Sequence, residues 1–169
     1  MIGTRLGAVA LAADPVDVIL RDGRTLRLRP PGRDDADSLL EFFGSLSERS
    51  RYLRFHGFPA LGSQLVESLL EPDWIERGAL LGALSTDAGE EIVAVANYVR
   101  LRDPAIAEAA FTVADAHQRR GIGTRLLERL ADRASEAGIE RFVAEVMAEN
   151  RDMLGVFEAV GFELTRELE

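Results

Sequence analysis

The sequence predicts a single mixed α/β domain, and three observations carry that prediction. Short apolar stretches with strand periodicity are separated by turn residues such as Asp22-Gly23. Apolar residues recur at helical spacing between Ile122 and Ala137. The chain has 169 residues, of which 47% are hydrophobic and 29% charged, and this is the size and composition of one globular domain.

The first half of the chain is predicted to hold a hairpin, a group of helices and a pair of strands. Residues 1–15 are interpreted as a leader or linker, because their short apolar stretch is too weak for a signal peptide, and the domain is expected to span 16–169. Turn residues at Asp22-Gly23 and Asp87-Ala88-Gly89 separate the paired strands. The predicted elements are strands at 16–20 and 26–29, helices at 34–43, 47–55 and 63–70, and strands at 79–85 and 91–101.

The second half is predicted to alternate strands and helices. Its first strand, 105–113, is apolar almost throughout, which is typical of a central position in a sheet. Gly138 ends the helix that begins at Ile122. A strand at 141–147, a helix at 150–160 and a last strand at 162–168 follow. A block of strands followed by this alternation, without internal repeats, indicates the mixed α/β class.

The composition excludes several kinds of enzyme and binding protein. All 20 basic residues are Arg, so the chain lacks the lysine that P-loop proteins, Schiff-base enzymes and protein kinases need. It has no Cys, which removes thiol chemistry and cysteine zinc sites and fits a cytoplasmic protein. His56 and His117 lack the spacing of a metal site. Because the net charge is −9 and no long apolar run occurs, neither nucleic acid nor a membrane is expected as a partner.

The strongest local signal is the segment from Gln118 to Thr124, Gln-Arg-Arg-Gly-Ile-Gly-Thr, which lies between an apolar strand and a helix. Gly121 and Gly123 allow a ligand to approach the backbone closely, and the N–H groups of the first helical turn attract anions. A pyrophosphate is the kind of group that such a site accepts. A dinucleotide fingerprint needs a small residue where Leu126 stands, so the Rossmann motif is not met.

Two motifs together resemble the GNAT family of N-acetyltransferases. The strand from Ala107 to Val113, followed by Gln118-x-x-Gly121-x-Gly123-Thr124, is similar to that family's acetyl-CoA-binding motif. Asn150, followed by Phe157 and Gly161-Phe162, is similar to its second motif. The resemblance covers roughly residues 24–168 and implies the GNAT fold, a mixed and mostly antiparallel sheet flanked by helices. It also implies acetyl-CoA as cosubstrate, no metal, and transfer of acetyl to a primary amine.

The segment Leu46-Ser47-x-x-Ser50-Arg51-Tyr52-Leu53-Arg54-Phe55 resembles the opening of bacterial protein lysine acetyltransferase domains within that family. Those domains are often fused to acyl-CoA synthetase-like or cyclic-nucleotide-binding domains. The resemblance therefore implies a protein lysine as acceptor, on a partner such as an acyl-CoA synthetase, and fusion to or association with another domain. Acetylation of a small amine, or acyl-CoA sensing without turnover, are the alternatives.

Glu108 is the candidate general base. By strand alternation it shares a face with Ile106, Ala110 and Thr112, and a carboxylate in so apolar a strand is costly unless it is paired or used. The resemblance puts the family's general base at this position, and partial burial would make the carboxylate a stronger base. An ion pair with one of the Arg residues is the alternative.

The resemblance also implies which residues bind acetyl-CoA. Phe111 and Val113 would hold the pantetheine arm through their backbones, and N–H groups near Phe111 and Thr112 would face the developing oxyanion. Phe157 stands where many family members carry a Tyr that protonates the leaving thiolate, and Asn150 is a helix cap, a pantetheine contact or both. The cofactor-binding candidates are Phe111, Thr112, Val113, Gln118, Arg119, Arg120, Gly121, Ile122, Gly123, Thr124, Asn150 and Phe157.

The end of the sequence differs from the family's pattern. The GNAT fold closes with two strands after its last helix, whereas this sequence has one, at 162–168. We therefore expect the final strand to be missing and the chain to be a fragment of a longer fusion, with a sheet edge left unpaired.

Overall fold

A computed structural model of the chain describes residues 15–47, 66–118 and 121–144. In these residues six strands form one sheet, in the order in which they occur along the chain. Two α-helices, here α1 and α2, pack on it. The strands are β1 (Val16–Ile19), β2 (Thr25–Arg29), β3 (Arg77–Thr86), β4 (Gly89–Arg100), β5 (Ile106–Val113) and β6 (Arg141–Val143), and the helices are α1 (Ala36–Ser45) and α2 (Ile122–Glu136).

Antiparallel pairing joins the strands from β1 to β5, and β6 adds to β5 in parallel. The parallel pair needs a crossover, which α2 supplies between β5 and β6. The mixed, mostly antiparallel sheet that the sequence implies is therefore confirmed. β5 lies between β4 and β6, so its interior position in the sheet is confirmed as well.

The two predicted hairpin turns form where glycine takes a backbone conformation that other residues rarely adopt. Gly23 has φ 87° between β1 and β2, and Gly89 has φ 119° at the start of β4. The Asp22 carboxylate accepts a hydrogen bond of 3.0 Å from the Arg24 N–H, which closes the first turn. Local turn chemistry thus fixes the register of both hairpins.

The two helices cover opposite faces of the sheet. The apolar side of α2, including Leu126, Leu127 and Leu130, is buried against the strands in one core cluster. Gly82 of β3 lies under this helix, and a Cβ there would lie 3.3 Å from Ala94 Cβ on the neighbouring strand. On the other face α1 buries Leu39, Phe42 and Phe43 in a second cluster with Leu81 and Val95 of the sheet. The sheet is therefore the middle layer of three.

An arginine–carboxylate pair ties β2 to the start of α1. Arg29 donates two hydrogen bonds to the Asp35 carboxylate, of 2.7 and 2.8 Å, and the Gly32 N–H donates a third of 2.8 Å. The hydrogen bonds from Arg29 hold the pKa of Asp35 below its ordinary value, although partial burial acts in the opposite direction. Asp35 closes a short 3-10 turn at Arg33–Asp35, so the predicted helix at 34–43 begins as that turn and continues as α1.

Several predicted elements lie wholly or mostly outside the described residues. These are the leader at 1–15, the helices at 47–55 and 150–160, and the strand at 162–168, together with the expectation of a missing final strand. Of the predicted helix at 63–70, a helical turn at 66–67 is described. Of the predicted strand at 141–147, β6 covers Arg141–Val143. Within the described ranges, no helix has the length and hydropathy needed to cross a bilayer.

Candidate acetyl-CoA site

The connection from β5 to α2 brings the glycine segment to the end of the strand. β5 ends at Val113, a 3-10 turn follows at Asp115–His117, and α2 begins at Ile122. The Gln118 side chain donates a hydrogen bond of 3.0 Å to the carbonyl of Val113. Gln118 therefore connects the loop to the end of β5 through its side chain. The sequence alone did not reveal this structural role.

The two glycines of the motif have different tasks. Gly121 is the N-cap of α2 with φ 83°, in the left-handed region, and a Cβ there would meet no atom within 4 Å. Open space at this position leaves the helix start accessible to a ligand. A Cβ on Gly123 would instead lie 3.1 Å from Phe111 Cε2 and 3.6 Å from Val113 Cγ2. Gly123 is therefore needed for close packing of α2 on β5, a task beside the ligand approach predicted for both glycines, which stays a prediction.

The first turn of α2 suits an anion. The N–H groups of the first helical residues lack helical acceptors by geometry, and the helix dipole adds partial positive charge at this end. The turn contains no acidic residue that would neutralise it. The N–H of Arg125 is the first to bond within the helix, to the Gly121 carbonyl at 3.1 Å. The described part of the phosphate motif thus offers N–H groups to an anion, and binding of a pyrophosphate there stays a prediction.

β5 is longer than its described pairing with β6. The parallel register joins Ile106, Ala107 and Glu108 to Arg141, Phe142 and Val143, while β5 continues for five more residues to Val113. Phe111 and Val113 turn their side chains toward α2 and pack on its core cluster. Thr112 points to the other face, where it is buried and its Oγ1 has no hydrogen-bond partner in the described structure. Within the described residues, the pairing of β5 with β6 covers Ile106–Glu108, and the motif for the pantetheine arm lies further along β5.

Glu108 is the third residue of β5 and the last one with a described partner in β6. It lies between Val99 of β4 and Val143 of β6, on the face opposite α2. Its side chain is exposed, and it forms no ion pair with a described residue. The expected partial burial of Glu108 is therefore not found. On this face α1 packs against Leu81 and Val95, and the cluster that it forms does not include the residues around Glu108. The alternative of an ion pair with an Arg finds no support in the described residues either.

Four of the candidate residues, Arg119, Arg120, Asn150 and Phe157, lie outside the described residues. The second sequence motif, from Asn150 to Phe162, falls there as a whole. Among the residues that are described, no cluster of three or more His, Asp or Glu side chains is arranged to hold a metal ion. Glu108, Phe111, Thr112, Val113, Gln118, Gly121, Ile122, Gly123 and Thr124 all lie along β5, its following loop and the first turn of α2.

Two features near this site were missed by sequence reasoning. Asp115, in the 3-10 turn before the motif, bonds to Ser47 at the end of α1. A pocket also lies between β1 and the start of α2, with Arg21 and Arg125 on its wall. Both join residues far apart in sequence, so no local spacing signals them.

Comparison with known families decides the relationship. The sequence pattern of the acetyltransferase (GNAT) family matches residues 49–162. The chain belongs to the GNAT acetyltransferase family. The match includes β3, β4, β5 and α2, and hence the described part of the candidate site. The family resemblance found in the two motifs is confirmed.

Within the GNAT family the chain is similar to acetyltransferases of the Pat type. It is 31% identical over 166 residues to acetyltransferase Pat of Mycolicibacterium smegmatis, which is 96% of this chain and 49% of that protein. The GNAT domain of S. lividans PAT is similar in structure, with a TM-score of 0.81 and 38% identity over 92% of this chain and 91% of that chain. A cAMP-binding acyltransferase from Mycobacterium smegmatis gives a TM-score of 0.62 with 28% identity. That match includes 98% of this chain and 49% of the acyltransferase. The chain therefore spans about half the length of the two mycobacterial relatives.

Proposed function

We propose that this GNAT domain transfers the acetyl group of acetyl-CoA to the side-chain amine of a lysine in a protein. The observation that carries the proposal is the course of β5. One end of the strand leads into the glycine start of α2, and Glu108, paired with Val143 of β6, lies near the other end. Cosubstrate and base would therefore be aligned along a single strand. Similarity to the Pat-type proteins over most of the chain supports a protein acceptor.

Acetyl-CoA would lie with its pyrophosphate on the first turn of α2 and its pantetheine arm along β5. The N–H groups of Ile122, Gly123 and Thr124 would bind the phosphate oxygens, and Gly121 would leave room for them. The backbones of Phe111 and Val113 would hold the arm as an added strand. Arg119, Arg120, Asn150 and Phe157 complete the proposed set from the sequence motifs.

Glu108 would act as the general base. Its carboxylate takes a proton from the lysine ammonium, directly or through water, and the neutral amine attacks the thioester carbonyl carbon. Backbone N–H groups near Phe111 and Thr112 would stabilise the negative charge that develops on the carbonyl oxygen. A C–N bond forms, the C–S bond breaks, and the CoA thiolate leaves. The nitrogen loses a second proton as the amide forms, and the CoA thiolate gains one proton to become the free thiol.

The surroundings of Glu108 favour a macromolecular acceptor. Val99 is 51% exposed and Val143 37% exposed, and they flank Glu108 on the sheet surface. An exposed carboxylate between apolar side chains can be reached by a lysine that projects from another protein. The apolar flanks would contact the methylene stem of that lysine, as long cationic side chains prefer. The chain's net charge of −9 also favours a cationic acceptor.

Labelled acetyl-CoA incubated with the purified protein and a bacterial protein extract tests the proposal. We expect label on lysines of a small set of proteins, identified by mass spectrometry, and loss of that label with the Glu108→Gln variant. Free thiol release measured with a panel of small amines serves as the comparison. Label confined to small amines would move the assignment to a small-molecule acetyltransferase. Tight acetyl-CoA binding without thioester consumption by any acceptor would favour the sensor alternative.

A further inference from the structure

A side-chain amide lies on the sheet next to the proposed base. Asn97 of β4 is paired with Ala110 of β5 and with Ala79 of β3, and directly opposed residues of neighbouring strands point to the same face. Val99, two residues further along β4, is paired with Glu108. Asn97 therefore lies on the face that carries Glu108, one row closer to the residues that α1 covers.

Exposure falls along this face from Glu108 toward α1. Glu108 is exposed, Ala110 is partly buried, and Thr112 is 6% exposed. Val95, which is paired with Thr112, belongs to the cluster that α1 forms. Asn97, beside Ala110, is partly buried as well. A group that enters from solvent past Glu108 therefore reaches the row of Asn97 before α1 covers the sheet.

The amide of Asn97 is accessible from the side of β5. On the β3 side its neighbour Ala79 is buried, whereas Ala110 on the β5 side carries only a methyl group and is partly exposed. A polar group on a partly buried strand face is costly unless it is hydrogen-bonded. A carboxamide has two donor hydrogens and two acceptor sites on its oxygen. Asn97 can therefore keep its contact within the protein and still accept a hydrogen bond from a ligand.

The spacing of Asn97 and Glu108 suits a shared nitrogen. The two residues are diagonal neighbours on antiparallel strands, because Glu108 lies two residues from Ala110, the partner of Asn97. Diagonal neighbours have Cα atoms about 7–8 Å apart, and long side chains bridge that separation. Hydrogen bonds from a nitrogen to oxygen are about 2.9 Å long. One nitrogen can therefore contact the carboxylate and the carboxamide at the same time.

We infer that Asn97 orients the acceptor, because its side-chain oxygen accepts a hydrogen bond from the lysine nitrogen that Glu108 deprotonates. The inference rests on the proposed transfer of acetyl to lysine. The lysine ammonium has three N–H bonds, and one of these protons goes to Glu108. The nitrogen loses a second proton as the C–N bond forms and the C–S bond breaks, and the CoA thiolate gains one. The third N–H stays in the amide product, and the hydrogen bond to Asn97 holds it, so that the lone pair faces the thioester carbonyl.

Calorimetric titration of the full chain with three ligands tests the inference. The first ligand is CoA. The second is an amide conjugate, in which a –CO–CH₂– bridge joins the side-chain nitrogen of lysine to the CoA sulfur. The third is the matching ester conjugate, in which oxygen replaces that N–H. We expect the wild type to bind the amide conjugate at least about tenfold more tightly than CoA. It should bind the amide about threefold to tenfold more tightly than the ester, because the ester has no hydrogen to donate to Asn97.

Variants at position 97 separate this contact from a structural role. Asn97→Leu and Asn97→Ala both remove the acceptor, one at similar size and one at smaller size. Each should bind the amide and ester conjugates equally and bind CoA with wild-type affinity. Asn97→Asp keeps an acceptor oxygen and should keep the preference for the amide. Thr86→Ala removes one side-chain hydrogen bond to the Gly89 carbonyl in the β3–β4 turn and is the control, which should keep the full preference.

The outcomes distinguish this inference from the proposed function. Equal binding of the two conjugates by the wild type, or a full preference for the amide in Asn97→Leu or Asn97→Ala, would overturn the role of Asn97. The proposed function would stand in that case, as long as the amide conjugate still binds more tightly than CoA. A wild type that binds both conjugates no more tightly than CoA has no lysine site beside the thioester. That result overturns the proposed function and the inference together.

Discussion

Asp115 accepts two hydrogen bonds from Ser47, one from its backbone N–H and one from its hydroxyl, each 2.9 Å long. The two residues are 68 positions apart. Ser47 follows the end of α1 on one face of the sheet, and Asp115 lies in the 3-10 turn that leads to the glycine start of α2. One carboxylate therefore joins the α1 side of the sheet to the loop that carries the proposed pyrophosphate site.

We expect this contact to be measurable as an energetic coupling. Asp115→Ala removes both hydrogen bonds and should lower the free energy of unfolding by about 1–2 kcal/mol, the range for exposed bonds to a charged group. Ser47→Ala removes the hydroxyl bond alone and should cost less. Because the two side chains share one interaction, the double variant should cost less than the sum of the single variants. Urea denaturation of the four proteins measures the cycle, and strict additivity would contradict the coupling.

The glycine motif gives a second prediction. Gly121→Val places a branched side chain at a left-handed position in the open space proposed for the pyrophosphate, whereas Gly123→Val drives a side chain into Phe111. Both variants should weaken acetyl-CoA binding by at least about tenfold, or about 1.4 kcal/mol. Gly123→Val should also lower the free energy of unfolding, because α2 must move away from β5. Calorimetry and urea denaturation measure the two effects.

Gly44→Ala is the control for these glycine substitutions. Gly44 lies in α1, where an added Cβ would meet no atom within 4 Å. The substitution should raise the free energy of unfolding by up to about 1 kcal/mol through helix propensity and leave acetyl-CoA affinity unchanged. Unchanged affinity in a folded Gly121→Val protein would remove the anion site from the start of α2.

The pair of Arg29 and Asp35 predicts a pH dependence of stability. Its hydrogen bonds lower the pKa of Asp35 in the folded protein, so the stabilisation is present above the unfolded pKa and is lost as pH falls through the folded value. Asp35→Asn should therefore cost about 1–3 kcal/mol of unfolding free energy at pH 7, and the difference from wild type should shrink below about pH 4. Asp17→Asn, which breaks an exposed pair with Arg27, should have a much smaller effect. Urea denaturation at several pH values measures both, and a difference that is constant with pH would contradict the assignment.

Features of the fold that depend on adjacent residues were predictable from the sequence. A positive φ, which glycine adopts readily, occurs in the turns at Gly23 and Gly89 and at the helix start at Gly121. Each of these features can therefore be predicted from a short stretch of sequence. The exposure of Glu108 was not predictable, because burial depends on which helix covers a strand face and how far along it reaches. The same holds for the bond between Ser47 and Asp115, and for the pocket that joins Arg21 to Arg125. Long-range packing, rather than local propensity, sets these features.

Glu108→Gln tests the proposed base directly. The substitution keeps the shape of the side chain and removes its basicity, so kcat should fall by about 10²–10⁴, the usual worth of general-base catalysis. Acetyl-CoA affinity should stay nearly unchanged, because Glu108 lies at the opposite end of β5 from the start of α2. Steady-state kinetics with an identified acceptor, together with calorimetry, separate the two effects.

The separate effects on kcat and KM distinguish a base from a residue that only shapes the surface. Glu108→Gln should lower kcat while leaving KM for the acceptor nearly unchanged, whereas loss of a residue that only shapes the surface should mainly raise KM. Glu140→Gln is the matched control, since Glu140 is an exposed glutamate just before β6 and lies outside the register with β5. It should retain wild-type kcat and KM. If Glu108→Gln also kept near wild-type turnover, the proton would have to leave through water or another acid, and the sensor alternative would be harder to sustain, because turnover itself would be established.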